Sequence, residues 1–268
     1  MRLVPVLAFA LLLGSWPLHA RAGASVQLED LSWTELRDRI HAGATTLLIP
    51  IGGTEQSGPA LTLGKHNARV RVLAQRIAEG LGNTLVAPVL AYVPEGGIAP
   101  PSSHMRFPGT LTVPDAVFEA VLASTADSAR IHGFRRIVLL GDHGGYQDDL
   151  HQVAARLNQA WAGQDARVLV PAEYYRSSSE GFAALLRQRG FRDDEIGTHA
   201  GLADTSLQLA VAPQTVRQDA LRSMSRPGPA DGIYGGDPRR ASAELGQLGV
   251  DAIIRQTIDA LRRDKAVH

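Results

Sequence analysis

Two apolar segments, each followed by a glycine-rich loop with a potential metal ligand, constrain the fold of this chain most strongly. Residues 47–51 form a strand-like run that leads into a loop containing Glu55. Residues 137–140 form a second such run, which leads directly into a loop containing His143. Open α/β sheets bind their ligands at the carboxyl ends of the strands. The pattern therefore predicts a functional site where these two strands end.

Strand-like and helical segments alternate along the chain. Strands are predicted at 46–51, 84–89, 136–140 and 167–170, and helices at 68–81, 114–131, 148–161, 180–188, 201–211 and 241–263. In the helix at 68–81, the pattern places Arg69 on the solvent side. Such alternation is typical of βαβ units, so the predicted fold class is α/β with a mainly parallel sheet covered by helices on both faces.

The first 22 residues have the features of a secretory signal peptide. Arg2 precedes an apolar run at 4–13, and Ala20-Arg21-Ala22 is a small-x-small cleavage pattern. The run is shorter than the ~20 residues that span a bilayer. We therefore expect residues 23–268 to form one domain that is periplasmic or secreted, without stable membrane insertion. An uncleaved N-terminal anchor is the alternative.

The amino-acid composition limits the kinds of ligand and reaction that this chain can support. The chain has no cysteine, so any bound metal must use histidine or carboxylate ligands. Basic and acidic residues number 27 each, which excludes the basic footprint of a nucleic-acid-binding protein. The chain also lacks a G-x-S-x-G elbow, a P-loop and a dinucleotide fingerprint after a strand. Serine hydrolase and nucleotide chemistry are therefore poorly supported.

Glu55, His66 and His143 together make a set of two histidines and one carboxylate. Hydrolytic zinc sites use such sets and keep a further position open for water. Taken singly, each residue has a structural alternative. Glu55 could accept hydrogen bonds from its own loop, and His66 could cap a helix or be exposed. As a set they predict a divalent metal, zinc first, with manganese, iron or nickel as alternatives.

His199 and Asp204 flank the start of a predicted helix. His199 could carry a proton, because imidazole titrates near neutral pH. Asp204 could be a further metal ligand, could orient His199, or could satisfy free N–H groups of the helix. The irregular loops at 92–110 and 223–240 are predicted binding loops, with surface connections or an oligomer contact as alternatives. The predicted substrate-binding residues are His104, Gly144, Gly145 and Tyr146.

Several motifs resemble those of the creatininase (creatinine amidohydrolase) family. Its Gly-Ser-Thr-Glu-Gln-His-Gly-Pro-His-Leu-Pro-Leu-Gly-Thr-Asp is similar to residues 52–66, and its Asn-Gly-His-Gly-Gly-Asn to residues 141–146. Its His-Ala-Gly…Glu-Thr-Ser is similar to residues 199–206. Further similar blocks are at 107–110 and 236–238. The resemblance runs in order through most of the chain after residue 22.

The resemblance implies a three-layer α/β/α fold, a metal-dependent C–N hydrolase with a small-molecule substrate, and a homo-oligomer. Members of the family usually hold two divalent ions. This chain departs from the motif, since Ser57 and Ala60 stand where the family has histidines and His66 stands at the bridging aspartate. An imidazole nitrogen cannot bridge two ions as a carboxylate does. We therefore expect one ion rather than two.

The leading hypothesis is hydrolysis of an amide or cyclic amide by a metal-activated water. Glu55 would be needed for catalysis as a ligand, and His199 would protonate the leaving nitrogen. Backbone N–H groups around Gly144 and Gly145 could steady the oxyanion. The alternative is an exported family member that binds a metal or a small molecule without catalysis, and the departures from the family motif favour it.

Overall fold

The computed structural model describes residues 25–265, so the predicted signal peptide at 1–22 lies outside the described residues. Within that range the strands β1 to β6 are Thr46–Ile51, Thr84–Val86, Arg136–Gly141, Arg167–Leu169, Gly197–His199 and Tyr234–Gly236. The α-helices α1 to α10 are Trp33–His41, Lys65–Leu81, Asp115–Ile131, Gln147–Ala160, Ala172–Arg176, Phe182–Arg187, Asp193–Ile196, Leu202–Val211, Gln218–Ser223 and Ala243–Lys265.

The central sheet has the strand order β2-β1-β3-β4, and every pair in it is parallel. From β1 the chain passes through α2 to β2 on one side. From β2 it returns through α3 to β3 on the other side of β1. The direction of winding thus reverses between β1 and β3, and such a reversal opens a crevice at the carboxyl ends of the strands. The predicted α/β fold with a mainly parallel sheet is confirmed.

The two faces of the sheet carry separate apolar layers, because side chains alternate along each strand. Leu47, Ile49 and Ile51 of β1 pack with residues of α3 and α4. Leu48 points the other way, into the layer formed with α2, α8 and α10. Burying each such side chain contributes ~1.5–3 kcal/mol. The result is the three-layer α/β/α arrangement that the resemblance implied.

Several elements differ from the sequence prediction. Helix α2 begins at Lys65 rather than at residue 68, so His66 lies in its first turn. The predicted second strand ends at Val86 rather than residue 89. The predicted helix at 180–188 is the end of a longer helical segment that starts with α5 and continues through a π-helical turn at 177–181. The Gly-rich loop at 223–240 contains β6, which pairs antiparallel with β5.

Helix α1 lies outside the predicted set. It begins with a capping box in which Ser32 Oγ accepts from the Glu35 backbone N–H (3.3 Å) and Glu35 accepts from the Ser32 N–H (2.8 Å). None of the helices within residues 25–265 combines the length and the apolar character that crossing a membrane requires.

Helices α8 and α10 approach each other closely at Gly246. A Cβ atom placed there would lie 1.8 Å from the backbone oxygen of Ser206 and 3.0 Å from Ala210 Cβ. The backbone of α8 cannot shift to make room for this atom in the way that the end of a flexible side chain can. This glycine therefore allows α8, whose first turn carries Asp204, to pack against α10.

We expect Gly246→Ala to destabilise the fold by ~1–3 kcal/mol, as overpacking does. In a helix interior, replacing glycine by alanine normally stabilises the fold by ~0.5–1 kcal/mol, so the expected change in stability has the opposite sign here. Gly80→Ala is the control, since its Cβ would meet only the end of the Ile258 side chain (2.5 Å). Urea unfolding measures both. Equal stabilities of the two variants would contradict the close approach.

Candidate metal centre

The loop after β1 and the first turn of α2 bring Glu55 and His66 together. The loop folds back on itself, with the Glu55 N–H donating to the Leu63 carbonyl (3.0 Å) and the Gly53 N–H donating to Asn67 Oδ1 (3.0 Å). Both site side chains are buried. His66 Nε2 lies 2.8 Å from Glu55 Oε1. Two residues that are eleven positions apart in the sequence are thereby in direct contact.

The loop after β3 supplies the group that orients His66. Asp142 Oδ2 lies 2.6 Å from His66 Nδ1, and Tyr174 Oη donates to Asp142 Oδ1 (2.9 Å). A neutral imidazole has a single N–H and can donate to only one of the two carboxylates that flank it. Arg69 Nη2, which can only donate, also lies 3.0 Å from Nδ1. Only the tautomer with its N–H on Nδ1, towards Asp142, leaves the Nε2 lone pair facing Glu55. This is the arrangement in which a carboxylate orients a metal-binding histidine.

His143 completes the first group of candidate ligands. Glu55, His66 and His143 each offer one ligand atom, and these atoms lie within 4.8 Å of one another. His143 Nε2 is 3.5 Å from Glu55 Oε2. The Gly145 N–H donates to His143 Nδ1 (3.1 Å), which places the ring proton on Nε2. For His143 to bind a metal through Nε2, the ring proton must be on Nδ1 instead. The Gly145 N–H must then turn from Nδ1 to solvent, to which Gly145 is exposed.

A second group shares the Glu55 carboxylate. It consists of Glu55, His104 and His199, again with ligand atoms within 4.8 Å of one another. His104 Nε2 is 3.1 Å from Glu55 Oε2, and His199 Nδ1 is 3.6 Å from Oε1. The buried Gln56 amide lies against both rings. Its oxygen accepts from the Gly58 N–H (3.0 Å), so its NH₂ group donates to His104 Nδ1 (3.0 Å).

The predicted ligand Asp204 lies in neither group. Its carboxylate contacts the Lys65 ammonium, accepts from Arg69 Nη1 (2.5 Å) and accepts from the Ala200 N–H (3.0 Å). Ala200 has a φ of +53°, a left-handed conformation that turns this N–H towards Asp204. The side chain is therefore committed to two cations and one backbone donor.

Arg69 corrects one sequence expectation, because it is buried rather than on the solvent side. Its guanidinium contacts Asp204 and also Asp142, with Nη2 2.8 Å from Asp142 Oδ2. A closed ring of contacts results. In order around the ring, its members are Glu55, Lys65, Asp204, Arg69, Asp142 and His66. Each carboxylate in the ring contacts Lys65 or Arg69, and this pairing lets the charges be buried, since an unpaired buried charge is very unfavourable.

The electrostatics of the centre favour an ionised Glu55 beside neutral imidazoles at His143 and His199. Burial opposes ionisation of Glu55, but Lys65, His66 and His143 outweigh it and hold the pKa of this carboxyl well below its usual range. Burial lowers the pKa of His143 to about 4 and, together with the charge of Lys65, that of His199 to about 3. A metal ion binds carboxylate and neutral imidazole, so these are the forms it requires.

Glu95 is a member of the site that the sequence interpretation did not single out. It lies in the irregular loop at 92–110, and its Oε2 is 3.8 Å from His143 Nε2. Both carboxyl oxygens are buried and accept no hydrogen bond from the residues that the structure describes. Burial and the neighbouring charge of Glu55 raise its pKa to about 9. Glu95 is therefore protonated at neutral pH unless a cation replaces the proton.

A cavity of about 570 Å³ opens beside the centre. Of the predicted substrate-binding residues, His104 and Gly144 line it. Tyr146 instead lies buried, with its hydroxyl 2.8 Å and 2.7 Å from the carbonyls of Ile51 and Gly52. It ties the end of β1 to the loop after β3. The cavity runs from Lys65, His66, His143 and His199 to Ser178, Ser179, Ala183 and Leu207.

Both groups share a carboxylate that fits a divalent ion, and the first also has a histidine held by a second carboxylate. Glu55 Oε2 is buried and accepts no hydrogen bond within residues 25–265, although two imidazole nitrogens lie within 3.5 Å. Asp142 holds the His66 ring, whose Nε2 lies 2.8 Å from Oε1 of the same carboxylate. An unsatisfied buried acceptor of this kind is rare in native proteins and calls for a cation or proton.

The match to known proteins covers nearly the whole described chain. The family described as creatinine amidohydrolase matches residues 29–261. The chain belongs to the creatinine amidohydrolase family. Creatinine amidohydrolase of Pseudomonas putida is 28% identical over 265 residues, which is 90% of this chain and 97% of that protein. Members of the family are metal-dependent amidohydrolases.

Other relatives of this creatininase-family chain differ in their reactions. A mycofactocin precursor peptide peptidase of Mycolicibacterium smegmatis is 28% identical over 193 residues, 70% of this chain and 66% of that protein. A crystal structure of creatininase superposes with a TM-score of 0.72 at 26% identity, covering 90% of this chain and 98% of that one. Similar creatininase structures are described as a Zn-Zn type and as a manganese form.

Glu95→Gln tests the protonation of Glu95 in protein stripped of metal with a chelator. The folded carboxyl has a pKa of about 9 and the unfolded one about 4.5, so the folded state holds a proton that the unfolded state releases. Stability from this group is complete below pH 4.5 and is lost as pH rises towards 9. We expect the variant to gain stability over the parent increasingly between pH 5 and pH 8.5, measured by urea unfolding. A stability difference between variant and parent that does not change with pH would contradict the protonation of Glu95 in the folded state.

Proposed function

We propose that this chain is a metal-dependent amidohydrolase that holds one divalent ion at Glu55, His66 and His143 and hydrolyses a C–N bond of a small amide. The observation that carries the proposal is the oriented pair of Glu55 and His66. Asp142 fixes the His66 ring beside Glu55 Oε1, and the other Glu55 oxygen, Oε2, lacks a hydrogen-bond partner among the described residues. The pair lies at the crevice between β1 and β3, where such folds bind ligands.

A divalent ion at these ligands supplies a polarised substrate carbonyl and a water of lowered pKa. Zinc is the first candidate and manganese the second, in keeping with the metals named for the similar structures. The ligands come from the loop after β1, the first turn of α2 and the loop after β3. Each of these segments is anchored to the central sheet, so the donor atoms are held by rigid elements.

His199 is the proposed proton carrier. It lines the cavity beside Glu55, and its low pKa makes it neutral at neutral pH. It therefore does not begin the reaction as an imidazolium acid. We propose that it takes a proton from the attacking water and passes this proton to the nitrogen of the breaking C–N bond. The products are a carboxylic acid and an amine. The Gly144 N–H, at the cavity wall, is the proposed donor to the oxyanion.

The cavity supports a substrate with groups beyond the scissile amide. Its volume of about 570 Å³ lies within the ~300–1,000 Å³ typical of pockets for drug-sized ligands. Besides the histidines, serine, alanine and leucine side chains line it, together with Glu180, Arg187 and Asp193. We therefore propose cyclic amides and short peptides as the first substrates to screen. Export through residues 1–22 and homo-oligomerisation also remain proposals.

A second candidate function is binding of a metal or small molecule without catalysis. The contact between the Lys65 ammonium and the Glu55 carboxylate (3.5 Å) favours it, because a fixed cation at a ligand lowers its affinity for a metal. Binding with no turnover of any amide in the screen would support this candidate.

His199→Ala is expected to lower kcat ~10²–10⁴-fold, the usual effect of losing a proton-transfer group. The metal content of this variant should match the parent, whereas His143→Ala should lose the metal. His151→Ala is the control, since that histidine is exposed on α4. Amide hydrolysis and plasma mass spectrometry provide the two readouts. Undiminished turnover in His199→Ala would remove His199 from the mechanism.

A further inference from the structure

Lys65 is a buried lysine beside the candidate metal ligands. It is the first residue of α2, immediately before His66, and its side chain is only 1% exposed. Lysine is almost never fully buried unless its charge is paired. The groups that pair with this ammonium therefore define a cation site within the protein.

Two potential metal ligands contact that ammonium, and a third, His199, lies beside one of them. Its Nζ lies 3.5 Å from Glu55 Oε1 and contacts Asp204 Oδ2. His199 Nδ1 lies 3.6 Å from the same Glu55 oxygen. The charge of Lys65 also contributes to the low pKa of His199, which places the two groups within electrostatic range. Two carboxylates and an imidazole are ligands that zinc and manganese accept.

We propose that the Lys65 ammonium occupies the place of a second divalent cation, so that this centre holds one ion. The inference rests on the proposed metal function and names the residue that sets the stoichiometry. Glu55 would offer its unpartnered Oε2 to the single ion, since the ammonium lies beside Oε1 (3.5 Å). A second divalent ion beside Glu55 and Asp204 would have to lie where the ammonium lies, and two cations so close together repel each other strongly.

The other possible place for a second ion is also blocked. It is the group of Glu55, His104 and His199. The Gln56 NH₂ group donates to His104 Nδ1, so the proton of this neutral ring is on Nε2. The ring therefore presents an N–H, and no lone pair, to an ion at this place, although this N–H makes no hydrogen bond to Glu55 Oε2. Gln56 is buried and its amide is held by Gly58, so this arrangement is fixed by the fold.

The ammonium also changes what the second position does chemically. A metal ion there would bind and acidify water, whereas an ammonium only balances the charge of Glu55 and Asp204. The protein would thus keep the electrostatic contribution of a second cation near the carboxylates without a second water-activating centre. All nucleophilic water would then come from the single ion.

The test is metal stoichiometry in Lys65→Ala. This variant removes the ammonium from Glu55 and Asp204 and leaves His199 beside Glu55. Parent and variant are loaded with excess Mn²⁺, desalted, and measured by plasma mass spectrometry and by electron paramagnetic resonance. We expect one ion per parent chain, and two per variant chain with the spectrum of a coupled pair. Arg71→Ala is the control, since it removes a charge from the exposed face of the same helix and should leave one ion.

One ion in Lys65→Ala would overturn the inference, as would two ions in the parent. No ion in the parent would instead overturn the proposed metal function, so the two failures are distinguishable. If Lys65→Ala does not fold, Lys65→Thr takes its place, because threonine is the residue at this position of the family motif that the sequence resembles. The same stoichiometries decide its outcome.

Discussion

The buried carboxylate of Glu55 is the group on which the arrangement of the site depends. Imidazoles from three segments, namely the first turn of α2, the loop after β3 and the end of β5, lie within 3.6 Å of its oxygens. An ionised carboxylate without partners cannot remain in a protein interior. The Lys65 ammonium and the imidazole rings therefore stabilise the buried Glu55 carboxylate. Because the rings also belong to the candidate metal centre, the same contacts serve folding and function.

The fold explains why these groups meet. Strands β1 and β3 are adjacent and parallel over six residue pairs, so the loops that follow them leave the same edge of the sheet. Tyr146 reinforces the junction by hydrogen bonding to backbone at both strand ends. The ring of charges that runs through Lys65, Asp204, Arg69 and Asp142 then joins α2 and α8 to this edge. Substitutions in the ring are expected to act on stability and on metal binding together.

The sequence predicted the parts of the site that depend on periodicity. Apolar runs that alternate with helical segments along the chain located β1 and β3. Their predicted parallel arrangement implied that Glu55 and His143, which follow these strands, approach each other. Periodicity failed for Arg69, because a charged side chain in an amphipathic helix is assigned to solvent unless its partners are known. Those partners, Asp142 and Asp204, are distant in sequence. Glu95 and β6 lie in Pro- and Gly-rich loops without a period, so only the folded chain places them.

The most direct test of the account is anomalous scattering from crystals grown with zinc, with data collected at the zinc absorption edge. The account predicts one strong peak per chain, bounded by Glu55, His66 Nε2 and His143. A peak bounded instead by Glu55, His104 and His199, or no peak at all with the zinc supplied in excess, would contradict the assignment of the metal centre.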